Sequence, residues 1–466
     1  MANGDDSSHN GRPPRRIRGI DRDWTVGSIS SNLIALAWPV IISNSLNMLG
    51  PTIDMLWVGK LGPAAMAAVG LSGQIVMVVN ALLMGLFTSL RAMVARRVGE
   101  KDEPAANHAF QQAFVIGIAF SIVMAAIGVF LSPAIIRLFG ADEDVVRLAV
   151  PYNRIQFIST ITMTLRMMTE ATMQSSGDTM NAMGIGVMFR VVHIALCPFL
   201  VFGLWIFPEL GVSGAALTNV ISQFLGGVAG MYLLFSGRSR LHITFKGFRL
   251  DPGNIWRQVK IGVPSSINGM LRNFLNLLIF RVVVPFGTVA TASYSLVQRI
   301  DSFLDVGAGS FGRAAGALAG QNLGARKPDR AEKTGWLAMG YAGIIMTVIS
   351  AGILLKAEWV VRIFNDDPQV VAIGSTLLRI ATLSFMMMSP ASVMTDCLNQ
   401  VGDTMIPLIA SLVSMWGIQL PLAILLPKVF GNGVYGVMWA MAIALTVRAL
   451  AYIVYFRTGK WKTRRV

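Results

Sequence analysis

The sequence predicts an all-α membrane protein of twelve transmembrane helices, two six-helix bundles related by a pseudo-two-fold axis along the membrane normal around a central cavity. Three observations predict it: an apolar composition, apolar runs of spanning length along most of the chain, and an internal duplication. Hydrophobic residues make up 54% of the 466 and charged residues 14%, with a mean hydropathy of +0.60. Soluble chains of this length carry roughly a quarter charged residues.

A helix needs about 20 apolar residues to cross ~30 Å of hydrocarbon. Segments meeting that length read as spans at 31–58, 64–90, 107–133, 147–171, 180–202, 211–235, 258–284, 289–314, 334–355, 371–398, 405–427 and 433–456. Short connections follow, with little room for a soluble domain. Spans four and ten read as the least apolar, so part of their surface is expected to face protein or water.

Charge placement orients the chain. The net charge of +15 would suggest nucleic acid in a soluble protein, but here Lys and Arg sit mainly in loops and tails, so no nucleic-acid partner is expected. They gather in the N-terminal tail (Arg12, Arg15, Arg16, Arg18, Arg22), after span two (Arg91, Arg96, Arg97, Lys101) and in the central linker (Arg238, Arg240, Lys246, Arg249, Arg257, Lys260). Further sets follow span eight (Arg326, Lys327, Arg330, Lys333) and close the chain (Arg457, Lys460, Lys462, Arg464, Arg465). The opposite side has only Lys60, Arg137, Arg147, Lys356, Arg362 and Lys428. The positive-inside rule then puts both termini in the cytoplasm, with the chain in the plasma (inner) membrane. The expected layout is a disordered tail at 1–27, an N-lobe at 28–236, a linker at 237–256, a C-lobe at 257–457 and a basic tail at 458–466. The polar N-terminus lacks the apolar region of a cleaved signal. Cys197 and Cys397 lie in or beside apolar segments, giving neither a disulfide framework nor metal-type spacing.

The duplication appears when the chain is shifted by 225 residues. Pro39 meets Pro264, Gly99 meets Gly324, Arg137-Leu138-Phe139 meets Arg362-Ile363-Phe364, and Gly177-Asp178-Thr179-Met180 meets Gly402-Asp403-Thr404-Met405. Parallel repeats of this kind can rock against each other and expose a midplane site to either side in turn. Paired catalytic carboxylates, a Ser/His dyad, His/Glu metal spacing and a P-loop are all missing from the sequence, so a transporter is expected rather than an enzyme. Energy would come from an ion gradient, with H⁺ or Na⁺ as coupling ion and no other cofactor.

The stretch PVIISNSLNMLGPTIDMLWVGKLGPAAMAAVGL, the stretch RIDSFLDVGAGSFGRAAGALAGQNLGARKPDRAE and the two Gly-Asp-Thr turns resemble MATE (multidrug and toxic compound extrusion) transporters. The resemblance covers about residues 28–457 and is closer to the bacterial and archaeal DinF-like branch. It implies a two-lobed antiporter that exchanges H⁺ or Na⁺ for small organic compounds, often cations; a monomer is expected. Rival readings are a flippase for lipid-linked precursors or polysaccharide, an exporter of anionic or zwitterionic metabolites, and a membrane scaffold without transport.

Asp54 is the first candidate. An ionisable carboxylate at membrane depth costs at least ~2.5–3.5 kcal/mol, so it is expected to face the bundle interior. Asn44, Asn47 and Pro51 precede it at three- to four-residue spacing and read as one helix face. The resemblance places the N-lobe cation site at Asp54. Where relatives with a well-formed site carry an Asn and an Asp in span five, this chain has His193 and Cys197 before Pro198, and the span-six position is Asn219 or Thr218. One carboxylate supplies few hard oxygen ligands for Na⁺, whereas histidine, the residue type at His193, is suited to sharing or relaying a proton; protons are favoured.

A second stripe, Asn268, Arg272 and Asn276 with Asn273 beside it, lies in span seven. Some relatives have an essential glutamate where Arg272 stands. It either pairs internally with Asp301 or Asp305 of span eight, or receives an anionic substrate group. Asn44, Arg272, Asn268, Asn276 and Asp301 are accordingly the substrate-binding candidates, and Asp54, Asn47, His193 and Asn219 the ion-coupling ones. Arg166 and Glu170 read as a helix pair, and Asp178 and Asp403 as N-caps. Arg190 has no evident partner.

Overall fold

The computed structural model describes residues 22–140, 142–429, 431 and 433–464. Among them are twelve long helices: α1 (Ile29–Val58), α2 (Pro63–Gly99), α3 (Glu103–Leu138), α4 (Glu143–Ser176), α5 (Thr179–Phe202), α6 (Val212–Phe235), α7 (Pro252–Val283), α8 (Thr288–Gly324), α9 (Pro328–Arg362), α10 (Pro368–Gln400), α11 (Met405–Val429) and α12 (Val434–Arg457). Each predicted span lies on one of them. Local chemistry sets several starts: Asp178 accepts from Asn181 N to cap α5, and Asp251 accepts from Gly253 N and Asn254 N to cap α7. These side chains satisfy backbone donors that a helix start leaves open. The other Gly-Asp-Thr turn differs. Asp403 caps nothing but takes the Tyr455 hydroxyl and lies 3.5 Å from Arg464 Nε, because Thr404 occupies the cap position of α11.

Ten helices contain an apolar stretch long enough to span; α4 and α8 do not. The expectation for span four fits, but α8 rather than α10 is the other polar helix. α8 carries Arg299, Asp301, Asp305 and Arg313 within its length. Helices run past the predicted ends at the side that bears the termini. α2 continues to Gly99, so Arg91 is buried inside a helix instead of lying in a loop. Likewise α7 begins within the segment read as linker and includes Arg257 and Lys260.

Of the predicted disordered tail, residues 1–21 lie outside the described residues. From residue 22 onward the chain is docked. Trp24 is buried, Asn32 Nδ2 donates to the Trp24 and Val26 carbonyls, and Arg330 donates to the carbonyls of Val26 and Gly27. Satisfied carbonyls and a buried indole hold this segment in place.

The last six helices enclose a large apolar core, from Leu275 and Ile279 of α7 to Met415 of α11 and Val437 of α12, and a smaller one around Met394, Leu398, Tyr452 and Phe456. The first six enclose others, around Phe87, Phe110 and Met168 and around Val58, Tyr152 and Val201. Helix α1 serves both lobes. Its first turns, through Leu33, Leu36 and Ala37, pack on α8 and α9, while its second half lies against α5.

Contacts between the lobes run mostly from mid-helix to the end bearing the termini, with Arg299 Nη2 donating to Thr52 Oγ1 at 3.3 Å toward the other end. Ser266 Oγ donates to Leu82 O at 2.6 Å, and Gln321 Nε2 donates to Ser175 O at 2.7 Å. At the α2–α8 crossing, a Cβ on Gly99 would sit 2.0 Å from Gln321 O, and one on Gly324 2.1 Å from Arg96 O. Those backbone atoms have no room to yield, so the repeat-related glycines permit the crossing. Gly99→Val is expected to force it apart at a cost of about 1–3 kcal/mol. Hydrogen–deuterium exchange at the adjoining ends of α2 and α8 should rise; unchanged protection would show that the crossing is not a seal.

Candidate functional site

Asp54 lies in the last two turns of α1, buried, with three other side chains turned toward its carboxylate. His193 Nε2 of α5 is 3.1 Å from Oδ1, off the line of an ideal hydrogen bond. Asn219 Nδ2 of α6 donates to Oδ2 at 3.3 Å, and Cys197 Sγ points at Oδ1 from 3.9 Å. Thr218, the alternative to Asn219, donates instead to Gly214 O within its own helix. The spacing of His193 and Cys197 is one helical turn, so both reach the same carboxylate.

Arg190 completes the arrangement. Its Nη1 lies 3.4 Å from His193 Nδ1 and its Nη2 donates to Asn47 O at 3.1 Å. Because a guanidinium only donates, Nδ1 must accept, which leaves the ring proton on Nε2 facing Asp54. Gly50 makes room: a Cβ there would be 2.4 Å from Arg190 Nη1. Phe189 is flanked by two guanidiniums, with Arg166 at 4.3 Å and Arg190 at 4.7 Å from its ring centre. Such stacking offsets part of the cost of holding guanidinium groups in the membrane. Arg166 also forms the expected pair with Glu170, buried on both sides.

The single face expected for Asn44, Asn47, Pro51 and Asp54 is split. Asn47 enters only through its carbonyl, and Pro51 is exposed. Asn44 turns to the other lobe, donating to Ser310 Oγ at 2.9 Å and accepting from Arg313 Nη1 at 3.0 Å. Residues ten apart on a helix differ by about 80° in direction, so steps of three and four drift off one face.

The second lobe holds a cluster of opposite charges. Arg272 of α7 is exposed, and among the described residues neither Asp301 nor Asp305 lies at ion-pair distance from it. The predicted internal pair is therefore not formed; the groups interact only at longer range, with Asp396 and Arg448 joining them. Asp305 is engaged elsewhere, by Ser392 Oγ at 2.6 Å. Asn268, Arg272 and Asn276 follow one face of α7, but the two asparagines make no side-chain hydrogen bond among the described residues. Arg313, Arg448 and Asp396 were not foreseen as part of this cluster. A charged residue inside a membrane-length helix was the available signal.

Two six-helix lobes joined by a shared helix, with ionisable side chains in the interior of each, define a membrane transporter. The chain belongs to the MatE family, whose pattern matches residues 39–199 and 264–425, once in each lobe. It is 25% identical to the probable multidrug resistance protein YoeA of Bacillus subtilis, over 92% of this chain and 93% of that one. It is also 25% identical to the probable multidrug resistance protein NorM of Thermotoga maritima, over 95% of each. A MOP superfamily transporter from Pyrococcus furiosus has the same fold, with a TM-score of 0.87 at 22% identity, covering 95% of this chain and 98% of that one. Members of this family are membrane transporters, not enzymes.

Proposed function

We propose that the chain exports small organic compounds by alternating access of its two lobes, in exchange for a cation bound at Asp54. The reading rests chiefly on one observation: Asp54 sits on the helix both lobes share, held by groups from α5 and α6. A change of charge there alters the contacts of α1 with the first lobe while its other half stays seated on the second. Binding at one site is thereby linked to relative movement of the lobes.

The donor set supports protons as the coupling ion. Asp54 is surrounded by N–H and S–H groups, from His193, Asn219 and Cys197, whereas Na⁺ takes oxygen ligands. Cytoplasmic termini would place the α2–α8 crossing on the inner side and Asp54 toward the outer one. The basic linker and tails support that orientation.

The test is export from proteoliposomes with a pH gradient imposed in Na⁺-free buffer. A pH gradient alone is expected to drive export of a fluorescent substrate, with H⁺ moving the opposite way. Export that needs a Na⁺ gradient and ignores pH would overturn the proton reading.

A specific observation favours a second reading of the substrate. Arg272 presents an exposed guanidinium without an ion-pair partner among the described residues, which suits a carboxylate or phosphate on the cargo. The Pyrococcus furiosus relative is described as having a binding pocket of reverse polarity that suggests a different function. The exported compound is then anionic or zwitterionic rather than cationic.

A further inference from the structure

A cavity lies away from both charged clusters, at the end of the molecule that bears the termini. This cleft of about 1230 Å³ opens between the lobes. One wall is the end of α2, with Arg96 and Glu100; the other is the first turns of α7, the turn before α11, and the C-terminal segment. Five cations line it (Arg96, Arg257, Lys260, Lys460, Arg464) against two carboxylates, Glu100 and Asp403.

Both carboxylates are already engaged. Glu100 lies 3.8 Å from Arg96 Nε and 2.8 Å from Arg97 Nη1. Asp403 takes the Tyr455 hydroxyl and faces Arg464. Among the described residues no carboxylate is at ion-pair distance from Arg257, Lys260 or Lys460, and the Nη1 atom of Arg96 is buried without a hydrogen-bond partner. Gly253 and Trp256 at the start of α7 and Thr404 and Met405 at that of α11 also line the cleft. Trp256 is 68% exposed on the same rim. Indoles settle at the level of lipid headgroups.

We propose that this cleft binds the phosphate headgroup of an anionic phospholipid of the cytoplasmic leaflet. Basic pockets between membrane helices on that side recognise such headgroups, and an amphipathic indole at the rim fits an occupant with its acyl chains in the bilayer. The walls belong to different lobes, so the lipid bridges them. The leaflet follows from cytoplasmic termini; the headgroup chemistry stands without that placement and without the coupling site at Asp54.

Binding is measured on purified full-length protein in detergent, where leaflet and orientation play no part. Native mass spectrometry and thermal shift would be read with phosphatidylglycerol, phosphatidylcholine and inorganic phosphate as separate probes. Phosphatidylglycerol is expected to bind and stabilise, phosphatidylcholine and inorganic phosphate to do so at least ~10-fold less well. The double variant Arg257→Gln, Lys260→Gln should weaken phosphatidylglycerol binding roughly 10- to 30-fold. The charge-preserving double variant Arg257→Lys, Lys260→Arg should keep it, as should Lys356→Gln at the far end of α9. Equal binding of phosphatidylcholine, or undiminished binding by the Gln variant, would overturn the site. Inorganic phosphate binding as tightly as the lipid would overturn the lipid as its occupant.

Discussion

Asp54→Asn is expected to lower gradient-driven export at least ~10-fold while leaving the fold as stable as before, or more so. The two halves of that expectation come from the same physics. A carboxylate held in the membrane interior costs at least ~2.5–3.5 kcal/mol, and asparagine removes that cost at almost the same volume. Its amide oxygen can still accept from Asn219, which now donates to Oδ2 at 3.3 Å. What disappears is the titratable group and the charge-assisted contacts, about 1.5–3 kcal/mol each at a charged acceptor, or roughly 10- to 150-fold. A residue serving only to tie α1 to α5 and α6 behaves otherwise: export falls only as far as folding does. Thermal unfolding measured beside transport in proteoliposomes separates the two. Full export by the asparagine variant would end the case for Asp54 as the coupling site. His193→Gln is the companion: it retains a donor toward Asp54 but breaks the link from Arg190 Nη1 to the ring, so a partial loss is expected.

The fold was legible because its signals are long-range averages. Twenty-residue apolar runs and a 225-residue repeat survive errors at single positions, and each predicted span falls on a helix. Boundaries were less legible. Polar turns of α2 and α7 at the end that bears the termini stay helical beyond the apolar stretch, because they pack on the other lobe rather than meet lipid. Arg91 was assigned to a loop for that reason, although it is buried inside α2. Around Asp54, the one-turn spacing on α5 brought out His193 and Cys197, but Arg190 had no partner visible in sequence. Besides Phe189 and His193 on its own helix, its contact is a backbone carbonyl, that of Asn47, 143 positions away. No residue type encodes a carbonyl acceptor. The Arg272 pairing failed differently: opposite charges on adjacent helices suggested an ion pair, yet side-chain direction and competing partners such as Ser392 decide whether one forms.

Arg272→Ala is expected to discriminate by substrate charge. An isolated guanidinium in the membrane carries a large solvation cost, which is offset by water in a cleft, by a fixed counter-ion or by a bound anion. Among the described residues the fixed counter-ion is not at contact distance, and the side chain is exposed. A carboxylate or phosphate on the cargo can accept two parallel N–H bonds from it. Truncation should then weaken binding of an anionic compound by roughly 10- to 150-fold, the equivalent of about 1.5–3 kcal/mol. Cationic dyes should be exported as well as before, or better, since the alanine removes a repelling charge. Arg272→Lys keeps the charge but loses the planar fork, so it should recover only part of the anion affinity. Isothermal titration with anionic and cationic compounds, run beside thermal unfolding, reads the result. If alanine weakens every compound equally and lowers the unfolding temperature, Arg272 is a brace for α7 and α8 through longer-range attraction to Asp301. If only anions suffer, the guanidinium selects cargo.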